Sequence, residues 1–169
     1  MKQRIEEKLS VGLQIDSETG NVDINLKSNA QDPSLLFRAR EVVTAIGRGF
    51  SPGRAFTLIR DDEASLEVFD LRETVGRSPS DIKRLKGRII GKDGKTRRII
   101  EELSEASISI YGHTVSIIGN ADQVSIASEA VRMLLRGSQH RTVYQFLQRK
   151  RRELKKKKME LWETRPPTE

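Results

Sequence analysis

The feature that most restricts the fold is a glycine turn held between two apolar pairs. Ile89-Ile90 precedes the turn Gly91-Lys92-Asp93-Gly94, and Ile99-Ile100 follows it. Because apolar pairs on both sides favour burial, they hold an exposed turn against a core. Glycine at both ends permits positive φ and close approach of another backbone. A helix that begins near Lys95 would point its free N–H groups into the turn, which favours phosphate binding.

Positive charge is concentrated around this turn and near the end of the sequence. Residues 77–98 contain nine Lys or Arg against two Asp, and residues 136–169 contain 11 basic against 4 acidic residues, within a net charge of +7. This distribution predicts a polyanionic partner, with nucleic acid as the first candidate and a solvated tail as the alternative. The predicted auxiliary electrostatic contacts are Arg149, Lys150, Arg151, Arg152, Lys155, Lys156, Lys157 and Lys158.

Composition argues against several other functions. The sequence has no cysteine and only two histidines, His113 and His140, so it predicts no disulfide, no thiolate chemistry, no metal site and no cofactor. No apolar run approaches the length of a membrane span, and the first residues lack the apolar region of a signal peptide. We therefore expect an intracellular protein located in the cytoplasm, with both histidines at its surface.

The pattern predicts two successive sets of helices and strands. The first set comprises a helix over 2–9, a hairpin over 13–26, a helix that opens at Asp32-Pro33 and ends by Gly49, and a short helix over 55–59. The charged stretch 61–63 marks a domain boundary. The second set comprises a strand over 66–69, a helix from Ser78-Pro79, a helix over 95–104, a hairpin around Gly112-His113, a helix from Asn120 to Gly137, and a docking helix that continues as a solvated one.

The two sets contain an internal repeat. Residues 5–7, 13 and 15 match residues 100–102, 108 and 110 at one constant offset. Helix, hairpin, helix and short helix occur twice in the same order, whereas chance similarity between amphipathic elements would explain only single matches. The glycine turn and the elements before it have no counterpart in the first set.

Residues 64–137 resemble the type I KH domain, a module that binds single-stranded nucleic acid. The resemblance rests on the order strand, helix, Ile-Gly-x-x-Gly, helix, hairpin and long helix. In that family the glycine loop clamps the backbone of about four nucleotides. The RNA-binding residues that the resemblance implies are Arg88, Ile89, Ile90, Gly91, Lys92, Asp93, Gly94, Lys95, Arg97, Arg98, Ile108, Ser109 and Ile110.

The resemblance assigns the clamp to the turn and to the helix after it. Gly91 and Gly94 would admit the strand, and Lys92 and Lys95 would neutralise its phosphates. Asp93 departs from the commoner pattern, because a carboxylate beside a phosphate lowers affinity unless it points away.

The bases would lie in a groove beside the second strand. Its aliphatic floor would come from Ile89, Ile90 and Ile108, and the backbone of 108–110 would contact base edges. Arg88 and Arg97 would flank the RNA backbone. Since many KH domains bury isoleucine at the position of Arg97, its side chain would turn outward or extend past the core.

The sequence as a whole is similar to a narrower family, the archaeal two-KH ribosome-assembly proteins related to the eukaryotic small-subunit precursor-processing factor. The similarity rests on residues 85–96, 111–115 and 142–144. It implies single-stranded RNA from the 3′ region of the small-subunit ribosomal RNA precursor as the ligand. It also implies ribosome-assembly proteins, such as a 3′-end endonuclease, as partners.

No catalytic residue is predicted. Gly94-Lys95-Thr96 ends like a nucleotide-binding P-loop, but that motif requires glycine where the sequence has Ile89. Two histidines without cysteine provide no nucleophile triad. The carboxylates Glu6-Glu7 and Glu101-Glu102 are predicted to lie on solvated helix faces.

We predict an α+β protein of tandem type I KH units. Residues 1–60 form a first unit without the opening strand, first helix and Gly-x-x-Gly loop, 64–137 form the KH domain, and 138–169 form a docking helix and basic tail. Phe56, Tyr144 and Phe146 are predicted as core, with base stacking as the alternative, and the role of Trp162 stays open. The leading function is non-catalytic RNA binding; a protein–protein scaffold and a single-stranded DNA binder are the alternatives.

Overall fold

A computed structural model describes residues 1–16, 18–27 and 32–163. The elements of its first unit are α1 (Lys2–Lys8), β1 (Val11–Ile15), β2 (Val22–Leu26), α2 (Ser34–Gly47), α3 (Pro52–Ala55) and α4 (Thr57–Arg60). β1 and β2 pair as an antiparallel hairpin, with Val11 opposite Leu26. The predicted order of helix, hairpin and helix is confirmed, although the single short helix predicted over 55–59 is divided between α3 and α4.

The elements of the second half are β3 (Ser65–Asp70), α5 (Arg72–Val75), α6 (Pro79–Ile90), α7 (Lys95–Ser104), β4 (Ser107–Tyr111), β5 (Thr114–Gly119), α8 (Ala121–Leu135) and α9 (His140–Glu163). The three strands form an antiparallel sheet in the order β3-β5-β4. One 3₁₀ turn, Lys92–Gly94, joins α6 to α7. The sequence pattern does not predict the short helix α5, whereas the other elements of this half confirm the sequence analysis.

Polar side chains determine where the long helices begin. At α8, Asn120 Oδ1 accepts the Gln123 N–H at 3.0 Å and Gln123 Oε1 accepts the Asn120 N–H at 3.0 Å, which is a capping box. The Ser78 hydroxyl caps α6 in the predicted way. At α2, the Asp32 carboxylate accepts the Ser34 N–H at 2.8 Å, so the helix begins at Ser34, one residue later than the sequence predicts.

The three-stranded sheet is covered on both faces. Val115 and Ile117 of β5 belong to a core with residues of α6, α7 and α8. The neighbouring Ile118 belongs instead to the core of the first unit, together with Val11 and Leu58. All six residues of β5 are therefore buried. The first unit packs on the face of the sheet that α6, α7 and α8 leave open.

Helix α9 is a docking helix that continues as a solvated one, as predicted. Val143 and Leu147 are fully buried, Leu154 packs partly against the same core, and residues 155–160 are exposed. The side chain of Trp162 lies outside the described residues. Within the described ranges, no helix has both the length and the apolar character needed to cross a membrane.

Candidate nucleic-acid interface

The glycine turn, residues 91–94, is exposed and has a left-handed backbone. Gly91, Asp93 and Gly94 have φ values of 72°, 53° and 74°. Asp93 occupies a conformation that aspartate tolerates better than most residues, which accounts for its place in the turn. The side chains of Lys92, Asp93 and Lys95 are exposed, and both glycines are half-exposed. The turn thus presents backbone and two cations to solvent.

The two glycines are required for different reasons. A Cβ on Gly91 would lie 2.2 Å from Thr96 Oγ1 and 2.8 Å from Thr96 N, so this position has no room for a side chain. A Cβ on Gly94 would meet nothing within 4 Å, so only its positive φ favours glycine there. Gly91 therefore packs the turn against α7, and Gly94 leaves open space in front of it.

The predicted aliphatic floor is only partly at the surface. Ile89 and Ile108 are 0% and 1% exposed and belong to the core, whereas Ile90 is half-buried. The Ile108 N–H donates to Glu101 Oε1 at 2.8 Å, so this amide is not available to a base. In this conformation Ile89 and Ile108 support the turn from below and do not form a ligand-contacting surface.

Arg88 connects helices and lies beside the turn, with Gly91 and Lys92 as neighbours in one cleft. Its Nε donates to Leu134 O at 3.2 Å and its Nη2 donates to Ser138 O at 2.7 Å. The carbonyl oxygen of Arg88 lies 2.9 Å from His140 Nε2. These contacts tie α6 to the segment between α8 and α9. Arg88 therefore has a structural role, and its predicted place beside the RNA backbone stays a prediction.

Glu101 is a shared acceptor and not a solvated carboxylate. Its Oε1 accepts from the Ile108 N–H and from Arg54 Nη1, each at 2.8 Å, and its Oε2 lies 3.7 Å from Arg97 Nε. The Glu101 side chain is 16% exposed. Glu6 holds the matching position in the first unit, where it accepts the Leu13 N–H at 2.9 Å. The prediction of solvated faces is therefore wrong for Glu6 and Glu101, whereas Glu7 and Glu102 are exposed.

The remaining predicted groove residues point in different directions. Arg97 is partly exposed and extends towards Glu101, and Arg98 Nη2 donates to the Asp93 carbonyl at 2.8 Å, which braces the turn. The Ser109 hydroxyl donates to Arg48 O at 2.8 Å, so Ser109 faces the first unit. Ile110 is half-buried against the core that contains Ile108 and Ile117.

The auxiliary cations lie on one continuous helix. Residues 149, 152 and 155–158 are exposed, whereas Lys150 and Arg151 are half-buried. Lys150 Nζ lies 2.6 Å from Glu153 Oε2, and Arg149 and Lys156 each lie 3.8 Å from a glutamate of the same helix, so part of the positive charge is paired. The exposed remainder forms a cationic surface on α9.

An ion pair at the end of β3 shifts the pKa of a carboxyl group. Two guanidinium nitrogens of Arg72 donate to the Asp70 carboxylate, which lowers the pKa of Asp70 from 3.8 to about 2. His113 Nε2 lies 3.7 Å from Asp70 Oδ2. The predicted surface position of His113 is confirmed in part, because its side chain is one-third exposed and faces this carboxylate.

Sequence analysis did not predict Arg84 or His140 as site residues, and it gave Tyr144 as core with base stacking as the alternative. Arg84, His140 and Tyr144 line an open cleft of about 450 Å³ together with Lys92 and Lys95 of the turn. The helical spacing of 140 and 144 is a signal for a shared face, but it does not say which element that face meets. Tyr144 is half-buried and therefore neither wholly core nor free.

Comparison with known proteins places this geometry in a family. A model of the eukaryotic type KH-domain (KH-domain type I) matches residues 65–152. A KH domain-containing protein of Methanocaldococcus jannaschii is 48% identical over 162 residues, which cover 96% of this chain and 70% of that protein. The pre-rRNA-processing protein PNO1 of Yarrowia lipolytica is 30% identical over 138 residues, or 82% of this chain and 54% of that protein. The chain thus spans about half the length of that relative.

A solved structure agrees with these matches. A chain of the a/eIF2alpha-aDim2p-rRNA complex from Pyrococcus horikoshii OT3 superposes with a TM-score of 0.83 at 45% identity, covering 90% of this chain and 82% of that chain. The fold and the exposed glycine turn define a type I KH protein. More narrowly, the chain belongs to the eukaryotic-type KH domain family, and its relatives include proteins named for pre-rRNA processing.

Proposed function

We propose that this chain is a non-catalytic protein that binds single-stranded RNA through its glycine turn. The observation that carries the proposal is the exposed turn itself, which presents Lys92, Lys95 and open space at Gly94 above a rigid core. Positive charge next to an approachable backbone suits a phosphodiester chain, because both contacts are independent of base identity. Nothing in this arrangement requires a metal or a nucleophile.

The proposed ligand is small-subunit ribosomal RNA precursor near its 3′ end, bound during ribosome assembly in the cytoplasm. Two observations support this choice: the Yarrowia lipolytica relative is a pre-rRNA-processing protein, and the Pyrococcus horikoshii complex contains rRNA. Ribosome-assembly proteins, including a 3′-end endonuclease, are the proposed partners.

The first unit is proposed to be a partial KH-like unit. Its elements α1, β1, β2 and α2 follow the order of α7, β4, β5 and α8. The shared Glu-to-strand hydrogen bond supports the correspondence, since Glu6 to Leu13 and Glu101 to Ile108 have the same separation of seven residues. Within its described residues, the first unit has no Gly-x-x-Gly turn, so RNA clamping is assigned to the KH unit alone.

The test is a charge reversal in the turn. We expect Lys92→Asp to weaken binding of a short single-stranded RNA at least about tenfold, because it replaces a phosphate contact by repulsion. Lys8→Asp, at an exposed lysine of α1, makes the same charge change and serves as the matched control. Fluorescence anisotropy at fixed salt measures both. Equal affinity of Lys92→Asp and Lys8→Asp would show that the turn is not the clamp.

The same assay decides the nucleic-acid class. Matched single-stranded RNA, duplex RNA and single-stranded DNA are compared at one salt concentration, since affinity depends on salt. The proposal requires tighter binding of single-stranded RNA than of either competitor. Tighter binding of single-stranded DNA would favour the DNA-binding alternative.

A protein–protein scaffold is the second candidate function. It is favoured by the presence of a/eIF2alpha in the Pyrococcus horikoshii complex and by the exposure of Phe37, an aromatic side chain of α2 that is 68% exposed. We expect Phe37→Ser to reduce capture of an a/eIF2alpha protein in a pull-down while leaving RNA affinity unchanged. Undiminished capture by Phe37→Ser would remove this residue from any such interface.

A further inference from the structure

The cleft beside the glycine turn lies between the turn and the first turns of α9. Its volume is about 450 Å³, and the side chains used below are Arg84, Lys92, Lys95, Thr96, His140 and Tyr144. Helix α9 comes after the strands and helices that hold the glycine turn in the sequence. One side of the cleft is therefore formed by the turn, and another side is formed by a helix outside that group. This volume suits one nucleotide and is too small for a folded partner.

The charge of the cleft suits a phosphate group. The cations of the cleft are Arg84, Arg88, Lys92 and Lys95, and none of the described residues that line it is acidic. The Arg88 guanidinium already donates to the carbonyl oxygens of Leu134 and Ser138. Lys92 and Lys95 are exposed, whereas Arg84 shares its charge with Asp81 at 3.3 Å. The strongest unshared positive charge therefore lies at the end of the cleft next to the turn.

Two rings form the wall opposite this charge. His140 and Tyr144 are one helical turn apart on α9, with ring centroids 6.3 Å apart. Tyr144 Oη lies 3.0 Å from Thr96 Oγ1, and His140 Nε2 lies 2.9 Å from Arg88 O. These contacts fix both rings before any ligand arrives, so little side-chain entropy is lost on binding. Rings of this kind stack on bases that are splayed out of single-stranded RNA.

We infer that this cleft holds one nucleotide of the RNA strand gripped by the glycine turn, with its base against Tyr144 and His140 and its phosphate near Lys92 and Lys95. The inference rests on the proposed function. It extends the footprint beyond the about four nucleotides that a KH domain clamps. It also makes the first turns of α9 part of the binding surface through their aromatic rings, in addition to the cationic surface further along the same helix.

Oligonucleotide length tests the inference. We compare a tetramer and a hexamer of single-stranded RNA by anisotropy, using the wild type, Tyr144→Leu and Tyr144→Phe. Tyr144→Leu removes the ring and is expected to weaken the hexamer about tenfold, within the range measured for loss of one base–aromatic stack. On this inference the nucleotide in the cleft is additional to the four that the turn clamps, so the tetramer should change less than about twofold. Tyr144→Phe keeps the ring and should retain most of the hexamer affinity.

Gln145→Ala is the matched control, since Gln145 is exposed on α9 and does not line the cleft. Equal losses for tetramer and hexamer in Tyr144→Leu would indicate a purely structural role and would overturn the inference. A hexamer affinity unchanged by Tyr144→Leu would overturn it as well. Neither result touches the clamp, which fails only if Lys92→Asp leaves binding of both lengths intact.

Photocrosslinking of the wild-type protein needs no variant and covers the case in which Tyr144→Leu does not fold. A hexamer with 4-thiouridine at its terminal positions is irradiated with the protein, and the crosslinked peptide is identified by mass spectrometry. We expect crosslinks to peptides that carry His140 or Tyr144. Crosslinks confined to peptides of the glycine turn and β4 would refute the assignment.

Discussion

Replacing the glycines of the turn by alanine should separate folding from binding. In Gly91→Ala, the new Cβ would lie 2.2 Å from Thr96 Oγ1 and 2.8 Å from Thr96 N. A change of the Thr96 side-chain rotamer could move its Oγ1, but Thr96 N belongs to the backbone of α7 and would stay in place. Overpacking of this kind costs about 1–3 kcal/mol, and a left-handed φ costs a non-glycine residue about 1–2 kcal/mol more. We therefore expect the free energy of unfolding to fall by about 2–5 kcal/mol.

Gly94→Ala should behave differently. Its Cβ would meet nothing within 4 Å, so only the φ of 74° opposes the substitution, at about 1–2 kcal/mol. In the proposed clamp the methyl group would occupy the open space that the RNA backbone enters, so the loss of affinity should exceed the loss of stability. Gly87→Ala is the control for stability, because Gly87 lies inside α6 without positive φ and with nothing within 4 Å. That variant should gain about 0.5–1 kcal/mol.

Urea denaturation gives the free energies of unfolding, and anisotropy with single-stranded RNA gives the affinities of the same proteins. The geometric argument is refuted if Gly91→Ala is as stable as Gly87→Ala. It is also refuted if Gly94→Ala loses as much stability as Gly91→Ala, because the clash with Thr96 is what distinguishes the two positions.

Three further changes test the surrounding structure. Glu101→Gln weakens two hydrogen bonds and should cost about 1–2 kcal/mol in urea denaturation, whereas exposed Glu102→Gln should change stability by less than about 0.5 kcal/mol. Because Arg72 holds the pKa of Asp70 at about 2, below its usual 3.8, the stabilisation is complete above pH 3.8 and is lost as the pH falls through 2. The melting temperature of Asp70→Asn should therefore change less than that of the wild type between pH 3.8 and pH 2. Replacing Lys155–158 by Gln should make the salt dependence of log K shallower, by about 0.7 for each phosphate that the helix no longer neutralises.

Each of these changes has a contrary outcome. Equal stability of the Glu101 and Glu102 variants would mean that the shared acceptor contributes nothing to the fold. If the melting temperature of Asp70→Asn falls with pH in the same way as that of the wild type, the ion pair is not a source of acid sensitivity. A salt slope that stays the same without the four lysines would exclude the solvated part of α9 from the RNA interface.

The elements and the glycine turn could be predicted because their signals are local. Apolar pairs on either side of Gly91–Gly94 predict burial of the flanking helices, and Asn120 with Gln123 predicts a helix start within four residues. The short helix α5 has only four residues and none of them is buried, so it shows no apolar periodicity from which it could be predicted.

The partners of Arg88 and Glu101 could not be predicted because most of them are distant in the sequence. Arg88 donates to carbonyl oxygens 46 and 50 residues away, and Arg54 reaches Glu101 across 47 residues. A charged residue on a helix face has the same local pattern whether it meets solvent, RNA or a distant carbonyl. Alternation along β4 likewise predicts that Ser109 and Ile108 face opposite sides, but not that the side of Ser109 is also covered.

The double cover of β5 limits how far this protein can be dissected. A fragment that begins at residue 64 would keep the glycine turn but uncover Ile118 and Leu66, which the first unit buries wholly or in part. Exposed apolar patches on a sheet promote self-association. A protein cut at residue 64 should therefore aggregate, so residues 1–60 act as a fixed cover for the second half and not as a detachable module.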